Sequence, residues 1–200
     1  MSTSIPTDHP IHAYISRRWS PYSFSEKPVE KSDLLCLFEA ARWAPSAHNE
    51  QPRYYIVATK EETQEFERLL SCLVEPNQAW AQFVPVLALG VTKLNFSYND
   101  QPNRAAFHDL GLAAGNLLFE ATSRGLHVHQ MIGILPEKAR ELYGVPEGYE
   151  VVTAIAIGYQ GENAKLPENL KKREAARKPR KPLSDFVFSG RWNQAASMVK

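Results

Sequence analysis

Two stretches of nearly unbroken apolar residues, 84–91 and 151–157, constrain the fold of this chain more than any other feature. Each has the length of a strand, and neither approaches the roughly 18 residues that a membrane-spanning helix needs. A half-exposed strand alternates apolar with polar side chains, whereas one apolar at nearly every position has both faces buried. The two runs therefore predict the centre of a sheet covered by helices on both sides. The 200 residues, 44% of them apolar, suffice for one such core and are read as a single domain, 1–200. A net charge of +1 argues against a nucleic-acid or membrane partner.

Helical periodicity supplies the covering layers. Ser32 or Asp33 stands where a cap belongs, and Leu34, Leu37, Phe38 and Ala41 then fall on one face of a helix reaching about Ala44. Pro45 ends it, because a residue before proline avoids the helical region. Tyr54, Tyr55, Ile56, Val57 and Ala58 read as a strand by their aromatic and β-branched content. Thr59 and Glu62 have capping-box spacing and open a helix with Phe66, Leu69, Leu70 and Leu73 on its apolar face. The longest helical pattern runs from about Arg104 to Arg124 and closes at Gly125. Gly111 and Gly115 leave it a side almost free of bulk, open to another backbone of the same chain or of a second subunit. Residues 136–143 form a short helix with proline at its start and Gly144 after its end.

The termini have a different character. Residues 1–12 read as a flexible polar arm, and Met1 to Pro10 lack the apolar segment of a secretory signal. Residues 160–182 carry eight Lys/Arg against three Glu, with prolines at 167, 179 and 182. The 160–200 segment therefore reads as an extended tail laid over a surface. Cys36 and Cys72 fall in separate helical patterns, which suits packing thiols in a reducing cytoplasm.

Three polar segments could carry chemistry. Arg17-Arg18-Trp19-Ser20 pairs guanidinium forks with a hydroxyl, a donor set suited to phosphate. Ala44-Pro45-Ser46-Ala47-His48-Asn49-Glu50-Gln51-Pro52 gathers small and amide side chains, suited to holding a flat polar ligand. Lys178-Pro179-Arg180-Lys181-Pro182-Leu183 is basic and proline-punctuated. The plain alternatives are a solvated arginine pair, a simple turn and a basic tail. His127 and His129 alternate onto one strand face, but no third ligand stands near them, so no metal is expected. No Gly-x-Gly-x-x-Gly follows a strand and no Gly-x-Ser-x-Gly elbow is present. The basic tail with Phe186, Phe188 and Trp192 is too short a stretch to argue for nucleic acid.

In this order, with Asp109-Leu110-Gly111, His129-Gln130-Met131-Ile132-Gly133 and the strand Ala154 to Tyr159 between them, these motifs resemble the nitroreductase family of FMN-dependent oxidoreductases. The resemblance runs from Ile15 to about Val187. It implies an α+β fold, a mixed central β-sheet flanked by helices in three layers, with a C-terminal extension wrapping the partner subunit of a homodimer. Arg18 and Ser20, with Arg17 nearby, would hold the FMN phosphate, joined by Lys178 and Arg180, and Trp19 belongs to the same cofactor-binding motif. Pro45, Ser46, Ala47, Asn49 and Gln51 would line the flavin of the neighbouring subunit. Asn77 would offer an amide to the pyrimidine ring, while in the flavin-edge turn of Met131, Ile132 and Gly133 the backbone N–H groups of Ile132 and Gly133 would face flavin N5 and O4.

The implied reaction is ping-pong. NADH or NADPH gives hydride to flavin N5, and a nitroaromatic, quinone or similar small acceptor then takes the electrons, so no side chain need be catalytic. A dehalogenase- or dehydrogenase-like member of the family and a non-catalytic FMN-binding protein are the rivals, with residues 94–103 as the one lid-like segment. Three positions depart from the family pattern. Tyr22 replaces a basic residue, Arg53 replaces a tryptophan, and Trp80 replaces a lysine beside the flavin, which would lower the flavin potential.

Overall fold

In a computed structural model, which describes residues 7–162, 166–175 and 179–199, the two apolar runs lie side by side as predicted. Strand β2 (Val86–Lys93) is buried at every position but its last, and β4 (Tyr149–Gly158) is buried through its second half. Strand β1 (Arg53–Thr59) pairs with the outer edge of β2, and β3 (His127–Met131) with the outer edge of β4, giving the order β1-β2-β4-β3. The mixed sheet of the sequence reading is corrected here, since all three pairings are antiparallel. Apolar content reports burial on both faces but carries no information on strand direction.

The side chains of β2 and β4 divide between two cores. Val86, Ala88, Ile155 and Ile157 face α2 (Lys31–Arg42) and α5 (Ala106–Ser123), where Leu37, Ala41, Ala113 and Leu117 complete one cluster. Leu87, Leu89, Ala154 and Ala156 face the opposite cluster. That second core takes Phe66 and Leu69 from α3 (Thr63–Leu70), Trp80 and Ala81 from α4 (Glu75–Ala81), and Ala139 from α6 (Pro136–Tyr143). The result is three layers with helices on both sides, as expected.

Several local rules operate as the sequence suggests. Leu126 N–H bonds to Ala121 C=O at 2.8 Å across Gly125, whose φ of +73° closes α5 in the left-handed region. Glu62 accepts from Thr59 N and Oγ1 at 3.2 and 3.0 Å, so the Thr59–Glu62 pair forms at the entry to α3. The cap expected at Ser32 or Asp33 does not form. Helix α2 starts earlier, after Glu30, and Asp33 instead meets Arg124 at the end of α5, 3.0 Å away. Gly111 and Gly115 do not serve packing within this chain, because a Cβ added to either meets nothing within 4 Å.

The termini depart further from the reading. Helix α1 (Ala13–Arg17) follows the arm, of which residues 1–6 lie outside the described residues. The segment read as an extended tail contains helix α7 (Glu168–Ala175), starting after Pro167. Leu166 and Leu170 join the second core and anchor it there. Among the described residues no helix is long and apolar enough to cross a membrane.

Candidate functional site

A cavity of about 570 Å³ opens on the second face of the sheet, along the exposed edge of β3. Its walls come from Tyr22, from Asn77 and Trp80 of α4, from His129 and the turn after β3, and from Asn169 and Arg173 of α7. Among the described residues no carboxylate, hydroxyl-bearing aliphatic or thiol side chain lines it.

The turn after β3 is the most constrained part. Gly133 C=O accepts from Val74 N at 3.1 Å and from Asn77 Nδ2 at 2.9 Å, while Ile134 N–H bonds back to Ile132 C=O at 2.9 Å. That last bond closes a three-residue turn on Gly133. With both carbonyls engaged, the N–H of the peptide joining Ile132 to Gly133 points the opposite way. Neither Ile132 nor Gly133 donates a hydrogen bond to any described residue, and Ile132 is 90% exposed. A Cβ on Gly133 would lie 2.5 Å from Asn77 Nδ2 and 2.9 Å from Val74 Cγ2, so the turn admits only glycine at this spacing. Met131, buried beneath it, is pinned through its carbonyl by Thr153 Oγ1 at 2.9 Å.

At the other end of β3 stand the arginines. Arg18 Nη1 donates to Ser20 Oγ at 3.2 Å, and Trp19 meets the His127 ring edge-on. Arg17 is exposed on the last turn of α1. His129 Nδ1 lies 2.7 Å from the carbonyl oxygen of Pro21, and its ring packs against Tyr22 and Trp80. Burial lowers the proton affinity of His129, and the Arg18 charge lowers it further against the opposing Pro21 bond. A neutral ring with a proton on Nδ1 satisfies these contacts. Trp80 is 1% exposed and stacks on Phe24, so it forms the cavity floor.

The 45–52 loop lies elsewhere. Ala47 N–H bonds to the buried Asp109 carboxylate of α5 at 3.0 Å, and Gln51 N–H to Ser46 Oγ at 3.0 Å. Gln51 Nε2 reaches Asn49 C=O at 3.3 Å, and Pro52 C=O is held by Thr92 Oγ1. Pro45 follows Ala44, which belongs to the first core. The loop therefore enters β1 from the α2/α5 side, whereas the cavity opens on the opposite face beside β3. Three strand spacings, about 14 Å, separate those strands. None of Ser46, Ala47, Asn49 and Gln51 lines the cavity.

Of the residues predicted from sequence, Asn77, Met131, Ile132 and Gly133 converge on the cavity, whereas Arg17, Arg18, Trp19 and Ser20 do not line it, Arg18 lying close to His129 and Trp19 against His127. Arg180 is exposed in an irregular stretch, and Lys178 lies outside the described residues. Arg53 donates from Nη2 to Arg42 C=O and so closes the end of α2. His129, Asn169 and Arg173 were not foreseen as lining residues. The alternation of His127 and His129 was legible, but its partner, the Pro21 carbonyl, lies 108 residues away.

Among the described residues the cavity brings together an amide, a glycine turn and a guanidinium, with Arg18 close to its His129 wall. Comparison with known proteins gives the family. Residues 15–159 match the nitroreductase family, and the chain belongs to that family. A solved structure described as an oxidoreductase containing FMN is 32% identical, with a TM-score of 0.88, covering 94% of this chain and 96% of its own. A Streptomyces coelicolor protein, provisionally named an NADH dehydrogenase/NAD(P)H nitroreductase, is 44% identical over 34% of this chain and 33% of its own length. A Mycolicibacterium smegmatis protein of 15.4 kDa is 34% identical over 47% of this chain and 63% of its own. The match thus spans less than two thirds of either curated relative.

Proposed function

We propose that the chain is an FMN-dependent oxidoreductase. It takes hydride from NADH or NADPH and passes electrons to a nitroaromatic, quinone or similar small acceptor by a ping-pong route. The Gly133 turn carries this reading. Ile132 and Gly133, whose N–H groups have no partner among the described residues, line a cavity whose His129 wall lies close to Arg18. Donors fixed in that way stabilise negative charge developing on a bound ring without reorganising. Bound FMN would supply the hydride-accepting chemistry. Arg18 and Ser20 would hold its phosphate, the Ile132–Gly133 peptide would face the ring, and Asn77 would keep the turn in shape.

The same reading makes the protein a homodimer. The 45–52 loop cannot close over the cavity of its own chain, and the open Gly111/Gly115 side of α5 supports close approach of a second copy. Pro45, Ser46, Ala47, Asn49 and Gln51 would then line the partner's flavin. Free Cys36 and Cys72 suit the reducing cytoplasm. The test is the absorption spectrum of the purified protein with added FMN, before and after anaerobic NADH or NADPH and then a quinone. Bleaching followed by recovery of the yellow colour is expected. A protein that stays colourless and retains no added FMN refutes the proposal.

A further inference from the structure

Helix α7 meets the rest of the protein at few points, and one of them is a buried charge for which the proposed reaction has no use. We propose that α7 is a movable wall of the cavity, latched by the Glu174 carboxylate, and that release of this latch lets the cofactor in and out. This rests on the flavin reading above.

Asn169, Leu170 and Arg173 of α7 line the cavity together with Asn77 of α4 and the turn after β3. Two leucines, Leu166 ahead of the helix and Leu170 within it, enter the second core, each 6% exposed. Glu168 and Lys172 are exposed, and Lys171 pairs with Glu168 inside the helix at 3.7 Å. Glu174, also 6% exposed, is turned inward and accepts from Tyr22 N at 2.7 Å and from Ser23 N at 3.4 Å. Among the described residues, these are the only hydrogen bonds that join residues 166–175 to another segment.

The two sides of the latch differ in rigidity. Residues 23–25 pair with the chain just past β4. Ser25 N–H bonds to Tyr159 C=O at 2.9 Å and Gly161 N–H to Ser23 C=O at 3.1 Å, with Phe24 and Gln160 bridged between them. A Cβ on Gly161 would lie 2.3 Å from the Phe24 backbone, so the two segments are in direct contact. The Tyr22 ring is fixed as well, its centroid 5.4 Å from Trp80 and 4.8 Å from His129. The frame therefore stays, and α7 is the part that can lift. A buried carboxylate is held only while its hydrogen bonds last, and on leaving it regains the hydration that burial removed. Tyr22 serves both sides, its N–H holding the latch and its ring lining the cavity, so the latch acts at the site itself.

The experiment follows FMN binding to, and release from, the flavin-free full-length protein by stopped-flow flavin fluorescence, for wild type, Glu174→Gln and Glu174→Ala. The latch involves no cofactor atom, so it limits passage equally in the empty and the loaded protein. Glu174→Ala should raise association and release rates together, each about tenfold or more, the scale of hydrogen bonds lost from a charged group, while Kd stays within about threefold. Glu174→Gln, which keeps one acceptor oxygen, should fall between. Trypsin supplies a readout without flavin. Cleavage after Lys171, Lys172 or Arg173 should quicken in the same order while cooperative thermal unfolding persists. Faster release with unchanged association, rates equal to wild type, or a Glu174→Gln protein that no longer folds makes Glu174 an ordinary anchor. Each of these overturns the latch and leaves the flavin reading standing. Wild type that binds no FMN overturns the flavin reading, and the latch with it.

Discussion

Replacing Gly133 by alanine tests the geometry on which the site depends. The added methyl would lie 2.5 Å from Asn77 Nδ2 and 2.9 Å from Val74 Cγ2. Gly133 has no left-handed backbone, so alanine is free to adopt its dihedral angles and the effect is steric. Overpacking of this kind costs about 1–3 kcal/mol. Displacing the Asn77 amide also breaks its 2.9 Å bond to Gly133 C=O, worth about 1 kcal/mol. The sum, about 2–4 kcal/mol, lowers Tm by roughly 5–15 °C at the 2–4 °C per kcal/mol expected for a chain of this size.

Thermal unfolding with added Asn77→Ala and the double variant separates sterics from general damage. Truncating Asn77 removes the nearest obstacle, so the double variant should be more stable than the sum of the single changes predicts, by about 1 kcal/mol or more. Strict additivity, or a Gly133→Ala protein that melts with wild type, refutes the claim that glycine is required here by contact with α4.

Asp109→Ala strands the Ala47 N–H and should destabilise the chain by about 1–3 kcal/mol in urea unfolding, with faster proteolysis within residues 45–52; an unaltered cleavage rate contradicts the anchoring role. His129 holds its proton less tightly in the folded than in the unfolded chain, whose ordinary value is 6.5. Below that value the unfolded state gains the proton first, so stability is lost as pH falls from neutrality towards the depressed folded pKa. Glu174, held above its ordinary range by burial, contributes the opposite slope in wild type and variant alike. Urea midpoints at pH 7.5 and 5.5 should therefore differ more for wild type than for His129→Gln, and equal differences refute the assignment. Trp80→Lys removes a fully buried indole and places an ammonium on the cavity floor, which should cost about 3–5 kcal/mol or more before any change in flavin potential is measurable; a Tm close to wild type refutes that placement.

The sequence was most legible where one interaction dominated. Unbroken apolar runs located β2 and β4 because burial on both faces leaves no room for alternation. Gly125 and Gly144 ended their helices through the left-handed backbone that glycine adopts most readily. It was least legible where distant partners compete for the same side chain. Asp33 had the position and chemistry of a cap, but Arg124, 91 residues away, takes its carboxylate. Helix α7 was hidden because its anchors are few, Leu166, Leu170 and Glu174, set among lysines and arginines. Asn77, read as an amide offered to the pyrimidine ring, does line the cavity. Its donor, however, is turned inward to shape the Gly133 turn, a role that only the chain reversal between α4 and β3 makes possible.

The 45–52 loop joins these observations. His48, Asn49 and Gln51 all have φ between 53° and 55°, a region that side chains other than glycine occupy at a cost of about 1–3 kcal/mol each. The surroundings over-determine that shape. Asp109 grips Ala47 from the first turn of α5, where a carboxylate also suits the helix dipole, and Ser46 Oγ receives Gln51 N–H. Glu50 is tied to Ser97 N at 2.8 Å, which links the loop to the 94–103 segment, and the His48 ring meets Phe96 edge-on. So much strain is out of proportion for a simple connection between α2 and β1. Within one chain it secures nothing at the cavity, which opens on the other face of the sheet. In the dimer proposed above, the same fixed surface becomes the second wall of the partner's site. Loosening it through Asp109 should then weaken flavin binding although Asp109 touches neither cavity wall, and a variant with an altered loop but unchanged FMN affinity would separate the loop from the site.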